Sequence, residues 1–312
     1  MTFLEIMKLW TIVKIMAAIN QTKTTGTYIF DRYFKGVGKP VMGNTAKLKI
    51  KKGAGIVLKT IAPGADRLVQ DLKDVYELTI ELPRFGLSGQ ILAHEINAYE
   101  SLEGEAKVEA ISQKIAEILK EHKDDYMTTI EHMATGALFG KVVDGDGKIL
   151  FEFNTTAAPI EFKNKTIIES LNAVDDALAS RDFMNRISAN ATAAELFKTG
   201  EAKWINESDK RVLEVQGTKF IPYSASWTDE NGNKKPYIEA GAAVVIPKTP
   251  DVFQMVYGRA DHMEALKSAP KLFFASKPEE LEKGKGWGIE TETKPLPYCV
   301  RPGALIKLKY TA

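Results

Sequence analysis

Apolar residues near the N-terminus recur at three- and four-residue spacing, which predicts an amphipathic helix within Phe3 to Ile19. Thr2 and Glu5 match a capping box that would start this helix. Its apolar stripe consists of Phe3, Ile6, Trp10 and Val13. Charged residues interrupt the segment well before the roughly 20 apolar residues that a membrane span needs. We therefore expect the helix to dock on another part of the chain or on a second copy, with a targeting signal, membrane-surface attachment and disorder as alternatives.

Residues 32–65 contain eight basic side chains and no acidic one. In the sequence Lys47-Leu48-Lys49-Ile50-Lys51 the charges alternate with apolar residues, and this period of two places the lysines on one face of a β-strand. Further strands are predicted at Ile56 to Ile61 and at Val75 to Leu82. Six glycines between positions 36 and 64 favour an extended β-loop over a compact sheet. The alternative interpretation is a solvated lysine edge that prevents aggregation.

The charge reverses in the next segment. From Glu95 to Glu131 the sequence has ten acidic side chains and four lysines, so its local net charge is −6. Glu105 to Thr135 contains neither glycine nor proline, and its apolar residues follow helical spacing. We predict one long helix of roughly 45 Å that ends near Gly136 or Gly140. His122 and His132 fall on or beside its apolar stripe, where we expect core histidines and not ligands.

After the helix, Asp144-Gly145-Asp146-Gly147 predicts the turn of a β-hairpin over Lys141 to Phe153. The same four residues resemble part of a calcium loop, but the other ligands of such a loop are missing. From Ile160 onwards short helices and strands are expected. The predicted elements are a helix opened by Thr166 and Glu169 that buries Leu178, a helix from Thr192 to Gly200, a hairpin turning at Asn231-Gly232, and strands at Ala240 to Ile246, Lys271 to Ala275 and Ala304 to Tyr310.

Composition limits the possible functions of this chain. The 312 residues carry 42 Lys plus Arg against 41 Asp plus Glu, a formal net charge of +1, which excludes a histone-like nucleic-acid binder and an acidic disordered tail. Hydrophobic residues make up 44%, a globular proportion. The single cysteine, Cys299, excludes internal disulfides and cysteine-based zinc clusters, and we predict that it is a buried structural thiol in a protein that folds in a reducing compartment. The four histidines show no metal-ligand spacing.

Motifs that would indicate catalysis are missing from the sequence. Ser88 lies between Gly86 and Gly89, but the spacing is wrong for a nucleophile elbow. Phosphate loops and zinc-helix motifs are absent as well. The carboxylate pairs Asp124-Asp125 and Asp175-Asp176 lie in predicted helices beside other charges, which is typical of solvated faces. We therefore predict no enzyme, no cofactor and no bound metal.

The order of these parts resembles the major capsid protein of tailed bacteriophages, in its lambda-type branch, the capsid protein E family. The resemblance is strongest in Lys219-Phe-Ile-Pro-Tyr223-Ser-Ala-Ser-Trp227, followed by Gly232-Asn-Lys234-Lys235-Pro-Tyr237-Ile238. The proline-rich finish from Glu290 to Gly303 and the hairpin after the long helix are similar to the family as well. The resemblance covers the chain from about Tyr28 to Tyr310. Its motifs are patterns of shell building and not a catalytic signature.

This resemblance implies an α+β protein with the tailed-phage major capsid fold. Residues 1–27 would be the N-terminal arm, 28–83 the extended β-loop, 84–154 the peripheral domain with its spine helix and hairpin, 155–285 the axial domain, and 286–312 a C-terminal return into the peripheral domain. Members assemble as hexamers and pentamers into an icosahedral head shell that encloses double-stranded DNA. Implied partners are further copies of the chain, a portal, a scaffold, a decoration protein and non-specifically contacted DNA, without a membrane. The implied location is the virion head, assembled in the host cytoplasm.

The charge pattern suggests how subunits would contact one another. A lysine-rich loop and an acidic helix attract across a subunit boundary, which gives orientation more than affinity. The candidate contact residues are Phe3, Trp10, Lys47, Lys49, Lys51, Lys52, Glu105, Glu109 and Glu117. Two alternatives stay open at this point. One is a nanocompartment shell built on the same fold, and the other is a metal-dependent enzyme that uses the turn at 144–147.

Overall fold

The computed structural model describes residues 5–7, 10–22, 27–51, 75–99, 101–102, 104–153, 160–162, 176–189, 191–207, 210–248 and 251–310. The helices are α1 Ile12–Gln21, α2 Ala93–Tyr99, α3 Gly104–Phe139, α4 Arg181–Ser188 and α5 Ala191–Thr199. The strands are β1 Gly38–Val41, β2 Thr45–Lys51, β3 Val75–Glu81, β4 Phe85–Leu92, β5 Lys141–Val143, β6 Ile149–Glu152, β7 Ile160–Phe162, β8 Asp176–Ala179, β9 Ala202–Glu207, β10 Lys210–Val215, β11 Thr218–Pro222, β12 Ser226–Thr228, β13 Lys234–Pro236, β14 Ala242–Ile246, β15 Phe253–Gly258, β16 Phe274–Ala275, β17 Glu279–Glu280, β18 Gly286–Thr293, β19 Pro295–Cys299 and β20 Ile306–Tyr310. One π-helical turn spans Phe30–Phe34, and 3-10 turns span Met263–Lys267, Glu282–Gly284 and Pro302–Ala304.

The chain folds into two compact units, each built from separated stretches of sequence. The first comprises Met1–Lys47, Thr79–Glu131 and Met255–Pro297. The second comprises Leu48–Leu78, His132–Gln254 and Tyr298–Ala312. None of the five crossings between the units could be read from a linker, because each of them falls inside a helix or strand.

The long helix is confirmed as α3. Its buried side chains lie on the predicted stripe, among them Ile111, Ile115 and Ile130. The helix continues through Gly136 and ends at Phe139; the next residue, Gly140, has a φ of 84°, a left-handed conformation that glycine adopts readily. Glycine at position 136 lets the backbone of Lys141 lie close to the helix, because a Cβ atom at position 136 would be 2.5 Å from the Lys141 carbonyl oxygen. The hairpin that follows, β5–β6, is confirmed at its predicted place.

A four-stranded sheet in the first unit joins β4, β16, β17 and β18. Its main contact is the antiparallel pair β4–β18, which runs without interruption from Gly286 opposite Leu92 to Thr293 opposite Phe85. The sheet therefore links residues separated by about two thirds of the chain.

The second unit contains a seven-stranded sheet in the order β7-β20-β14-β8-β11-β10-β9. Helix α4 packs on this sheet, with Phe183, Met184 and Ile187 buried. The Ser180 hydroxyl caps the helix by accepting a hydrogen bond from the Phe183 N–H. The rings of Phe183 and Phe220 lie 6.0 Å apart in the core. Helix α4 was not predicted, because the predicted helices of this region were placed before it, with Leu178 as the last buried residue, and after it, from Thr192.

The N-terminal helix differs from its prediction in start and in buried face. Helix α1 begins at Ile12, and the Thr11 hydroxyl accepts a hydrogen bond from the Lys14 N–H. Ile15, Met16 and Ile19 are buried, whereas Val13, which was predicted to lie on the stripe, is 74% exposed. The apolar partners Ala265 and Phe274 pack against Met16 and so select the other side of the helix. Residues 5–7 are helical as well, while Thr2 and Phe3 lie outside the described residues.

One prediction in the second half is corrected. Leu178 and Asp176 lie on strand β8 and not on a helix, since β8 pairs with both β11 and β14 in the sheet. The predicted last strand is present as β20, which pairs with β14 in the seven-stranded sheet. The alternation of β20 buries Leu308 in that sheet's core. The predicted helix start at Thr166 and the predicted strand at Ile56 to Ile61 fall outside the described residues.

Candidate assembly surfaces

The predicted lysine face is present on β2. Lys47, Lys49 and Lys51 are exposed. The intervening residues Ala46, Leu48 and Ile50 are buried with exposures of 2% or less. The strand therefore anchors through one face and presents three positive charges on the other. Lys52, the fourth lysine of the candidate set, lies outside the described residues.

Only one of these lysines has a carboxylate within 4 Å in the described part of the chain. The Nζ atom of Lys49 lies 3.2 Å from Oε1 of Glu77 on β3, and both side chains are more than half exposed. Such exposed pairs contribute little, about 0.2–1 kcal/mol, and salt screens them. The lysine face thus keeps most of its positive charge available for another molecule.

The acidic residues of the candidate set lie along the N-terminal part of α3. Glu105, Glu109 and Glu117 are exposed. Among the residues that the structure describes, none of the three has a basic group within 4 Å. Their positions differ by 4 and 8 residues, which spreads them over about 120° of the helix circumference. The helix therefore presents an acidic face to solvent. Of the two aromatic candidates, Trp10 is half-buried and Phe3 is outside the described residues.

A buried lysine that was not among the predicted site residues holds α1. Lys123 on α3 is 6% exposed, and its Nζ atom donates hydrogen bonds to the carbonyl oxygens of Asn20 and Thr22 at 3.0 and 2.6 Å. These carbonyls belong to the C-terminal end of α1, where helix carbonyls lack partners within the helix. Burial lowers the pKa of Lys123. Its ammonium group also lies 5.2 Å from the centre of the Phe273 ring.

We expect Lys123→Met to loosen α1 selectively. The variant leaves two carbonyl oxygens without their donor while keeping the length of the side chain, at a cost of about 1–3 kcal/mol. Hydrogen exchange of the α1 amides should then become roughly tenfold faster or more, while the amides of α3 around Ile130 stay protected. Lys120→Met is the matched control, because Lys120 is exposed one turn earlier. Equal exchange in the two variants would contradict the anchoring role of Lys123.

A second missed residue, Glu131, organises the chain after α1. Its carboxylate is 1% exposed and accepts hydrogen bonds from the backbone N–H groups of Ile29 and Phe30, each at 2.8 Å. Ile29 is the residue immediately before the π-helical turn Phe30–Phe34, and Phe30 is its first residue. One carboxylate thus satisfies two buried donors and fixes where the turn starts.

A third missed cluster surrounds Glu292 on β18. The Glu292 carboxylate accepts hydrogen bonds from Arg84 Nε at 2.9 Å and from the Asp261 N–H at 2.7 Å. Lys294 Nζ lies 3.5 Å from the same carboxylate and donates to Asn44 Oδ1 at 3.0 Å. Glu292 and Lys294 are 5% and 3% exposed. The cluster therefore joins four separated stretches of the first unit through buried charges.

His122 also has a structural role. Its Nδ1 atom lies 2.8 Å from the hydroxyl of Thr291, which in turn lies 2.8 Å from the hydroxyl of Tyr126. Burial lowers the pKa of His122, partly opposed by the nearby Asp125 and Glu121. Burial also raises the pKa of Tyr126 to about 12. The neutral forms of both rings are thus the ones that suit this buried contact.

The stability of the protein should therefore depend on His122 in mildly acidic solution. A lowered folded pKa means that the unfolded chain binds more protons below about pH 6.5, so stability falls as the pH drops through this range. The slope for one proton is at most about 1.4 kcal/mol per pH unit. We expect His122→Gln to flatten the decline in denaturant-unfolding free energy between about pH 7 and pH 5, measured against His94→Gln, since His94 is exposed. An unchanged slope in His122→Gln would contradict this assignment.

The residues considered for chemistry are engaged in structure. Cys299 is fully buried as predicted, and burial raises its pKa to about 12, which leaves the thiol protonated and inert. Asp144 accepts hydrogen bonds from the N–H groups of Asp146 and Lys148, so its carboxylate shapes its own turn. In the described part of the chain no group of three or more His, Cys, Asp or Glu side chains could hold a metal ion. No helix there is both long and apolar enough to cross a membrane.

A signal for the missed residues on α3 was present in its periodicity. Lys123 falls four residues after Leu119 and three before Tyr126, and Glu131 falls four after Met127 and three before Ala134. A charge at a stripe position predicts a buried, partnered group, because an unpaired charge is too costly to bury. The partners themselves come from distant sequence and could not be identified in this way.

Comparison with known proteins assigns the family. Residues 11–310 match the family model described as phage major capsid protein E. The fold is similar to a crystal structure of a protein assigned as the capsid protein of a prophage in Escherichia coli CFT073, with a TM-score of 0.60, 12% sequence identity, and coverage of 96% of this chain and 99% of that one. The bacteriophage PhiM1 mature capsid (TM-score 0.46, 11% identity, coverage of 93% and 90%) and an encapsulin of Synechococcus elongatus PCC 7942 (TM-score 0.47, 10% identity, coverage of 94% of each chain) are more distant.

No curated protein matches the chain by sequence. The family model nonetheless spans nearly all of it, and the prophage structure shares its fold from end to end. The exposed lysine and glutamate faces and the structural use of the buried charges agree with a protein that builds a shell. The chain therefore belongs to the phage major capsid protein E family.

Proposed function

We propose that this capsid protein assembles as hexamers and pentamers into an icosahedral head shell around double-stranded DNA. In this proposal residues 28–83 form a loop that reaches a neighbouring subunit, and residues 1–27 form an arm that packs within or between subunits. Residues 84–154 and 155–285 would be the peripheral and axial domains of the assembled subunit. Portal, scaffold and decoration proteins would be further partners, with assembly in the host cytoplasm before incorporation into the virion.

The observation that carries the proposed contact is the lysine face of β2. Three ammonium groups on one side of a strand, with a single weak carboxylate partner in the described part of the chain, form a positive surface. The exposed glutamates of α3 form a surface of the opposite sign, and a second copy of the chain supplies it at every subunit boundary. Individual exposed pairs are worth about 0.2–1 kcal/mol, but a closed shell repeats them many times. Complementary charge also sets the orientation in which subunits meet.

Packaged DNA requires little attraction from such a shell. The chain has a formal net charge of +1, so a wall made of it neither repels DNA strongly nor condenses it. Contacts with the phosphate backbone would be non-specific and sensitive to salt. We therefore expect no sequence preference in DNA binding by the isolated protein.

Size-exclusion chromatography with negative-stain electron microscopy tests the proposal. The protein is expressed alone, and in parallel with the neighbouring head proteins of its phage. We expect closed shells, or capsomers of five or six 34.5-kDa subunits, in one or both preparations. Dissociation should increase with salt if the charged faces guide assembly. A chain that remains monomeric in both preparations and at all salt concentrations would contradict the proposed assembly.

A further inference from the structure

His132 lies near the C-terminal end of α3 and contacts the β12–β13 hairpin through aromatic rings. Its ring centre is 4.6 Å from that of Trp227 and 6.4 Å from that of Tyr237. Tyr237 continues the cluster to Tyr223 at 5.9 Å. All of these residues belong to the second unit. The histidine is therefore the helix's contribution to an aromatic cluster that holds the hairpin.

Neither ring nitrogen of His132 has a well-oriented hydrogen-bond partner among the described residues, although both are buried. A neutral imidazole carries one donor and one acceptor, so both capacities are unused. Leaving buried polar atoms unpaired is costly, and such atoms in a folded protein call for an explanation. The stacking of the His132 ring on its aromatic neighbours does not use these nitrogens, so it does not explain why they are buried.

A cavity of about 260 Å³ lies beside the ring. Its lining residues are His132, Thr135, Gly136, Phe139, Val143, Tyr237, Glu239 and Ala242. Because His132 is among the lining residues, its imidazole borders this open volume as well as the aromatic cluster.

Three charged residues lie around this ring. The backbone of Asp144, in the turn between β5 and β6, favours the protonated ring and its carboxylate adds to this effect, whereas Lys235 on β13 disfavours the protonated ring. Glu239 lines the cavity and offers a second carboxylate. Lys235 is itself paired with Asp229 at 2.9 Å and lies over the Trp227 ring at 5.3 Å. Burial is the largest influence and lowers the pKa of His132, so the ring is neutral at pH 7.

We propose that His132 is a proton-sensitive contact that fastens the β12–β13 hairpin to the end of α3 when neutral and releases it when protonated. The neutral ring stacks on Trp227 inside the aromatic cluster. The protonated ring requires hydrogen-bond acceptors that the aromatic rings lack, and these are supplied by the Glu239 carboxylate, which lines the cavity, and by the backbone carbonyl of Asp144. The hairpin then loses its helix contact while its own strand pairing remains. This local device acts within one chain and does not depend on the proposed assembly.

The emission of Trp227 reports the state of this contact. A background variant with Trp10, Trp204 and Trp287 replaced by phenylalanine leaves Trp227 as the single fluorophore. We expect a single-proton transition in its emission below about pH 6.5. Protonation places a charge beside the Trp227 indole, and the His132 ring then moves away from it. His132→Gln and His132→Phe should both abolish the transition, and His122→Gln should leave its midpoint unchanged. His132→Phe keeps an aromatic ring in the cluster in case the glutamine variant folds poorly.

Hydrogen exchange distinguishes release from mere protonation. As the pH falls through the transition, the hairpin amides of 226–236 should lose protection relative to their intrinsic exchange rate at each pH. The amides of β8 and β14 should remain protected. A Trp227 transition that persists in both His132 variants would overturn the proposal. So would protonation of His132, observed by NMR, without any change in Trp227 emission or hairpin exchange.

Discussion

Replacing Glu292 with alanine is expected to lower the free energy of unfolding by about 3–5 kcal/mol. The substitution leaves the ammonium group of Lys294, which is 3% exposed, without its carboxylate, and removes the acceptor of the Asp261 N–H. Breaking a buried pair from one side is severe because the remaining charge stays desolvated. A loss of this size corresponds to a fall in melting temperature of roughly 10 °C. Differential scanning calorimetry provides the measurement.

The matched control is Glu290→Ala, which removes an exposed carboxylate two residues earlier on the same strand. It should change stability by no more than about 0.5 kcal/mol. A double variant, Glu292→Leu with Lys294→Met, removes both buried charges and should recover part of the loss, since apolar replacement of a whole ion pair is often tolerated. If Glu292→Ala melts at the same temperature as Glu290→Ala, the buried cluster does not hold the first unit together.

Reversing the lysine face of β2 should prevent shell formation while the subunit remains folded. The triple variant Lys47→Glu, Lys49→Glu and Lys51→Glu changes a positive surface into a negative one and makes it repel the acidic face of α3 on a second copy. The buried residues of β2 are untouched, so circular dichroism and the melting temperature should change little. Electron microscopy should show no closed shells or only misassembled particles. Normal shells from the triple variant would remove the charged faces from the assembly mechanism.

Two further variants make this test specific to the partner surface. Lys198→Glu, Lys234→Glu and Lys267→Glu together impose the same charge change at exposed positions elsewhere and should still assemble. Combining the β2 triple variant with Glu105→Lys, Glu109→Lys and Glu117→Lys exchanges the signs of both faces. Assembly should then recover, because the attraction across the boundary is restored with reversed polarity. Failure of the exchange variant, with both single-face variants folded, would indicate that the two faces do not meet.

Local periodicity determined the elements in which one pattern dominates. The lysine strand was predicted because three lysines at a period of two lie on one face and leave the intervening apolar residues on the face that can be buried. The long helix was predicted because Glu105 to Thr135 lacks breakers and keeps one apolar stripe. The hairpin turns followed from Asp-Gly and Asn-Gly pairs, and Gly232 adopts the expected positive φ of 80°. In each case the decisive interactions are between residues close in sequence.

The resemblance to the capsid family was also contained in the sequence. It rested on the order of the elements and on the stretch from Lys219 to Ile238, and the family match over residues 11–310 confirms it. An order of elements survives divergence that leaves 12% identity, because the fold depends on where apolar faces lie and not on particular side chains. The candidate contact residues of β2 and α3 remain a prediction.

The tertiary structure alone decided which faces and which charges are buried. Val13 and Met16 both lie on an apolar helix, but only the position of Ala265 and Phe274 makes Met16 the buried one. Leu178 is equally compatible with a helix or a strand, and its pairing with β11 and β14 chose the strand.

The buried charges show the same limit more strongly. Glu292 is indistinguishable in sequence from a solvated charge, and the stripe positions of Lys123 and Glu131 indicate burial without identifying a partner. Those partners lie from about 30 to more than 200 residues away, at Asp261, Thr22, Ile29 and Arg84. Sequence therefore determined the periodic surfaces of this protein, whereas contacts between distant segments decided its core, because burial depends on what packs against a residue and not only on the residue itself.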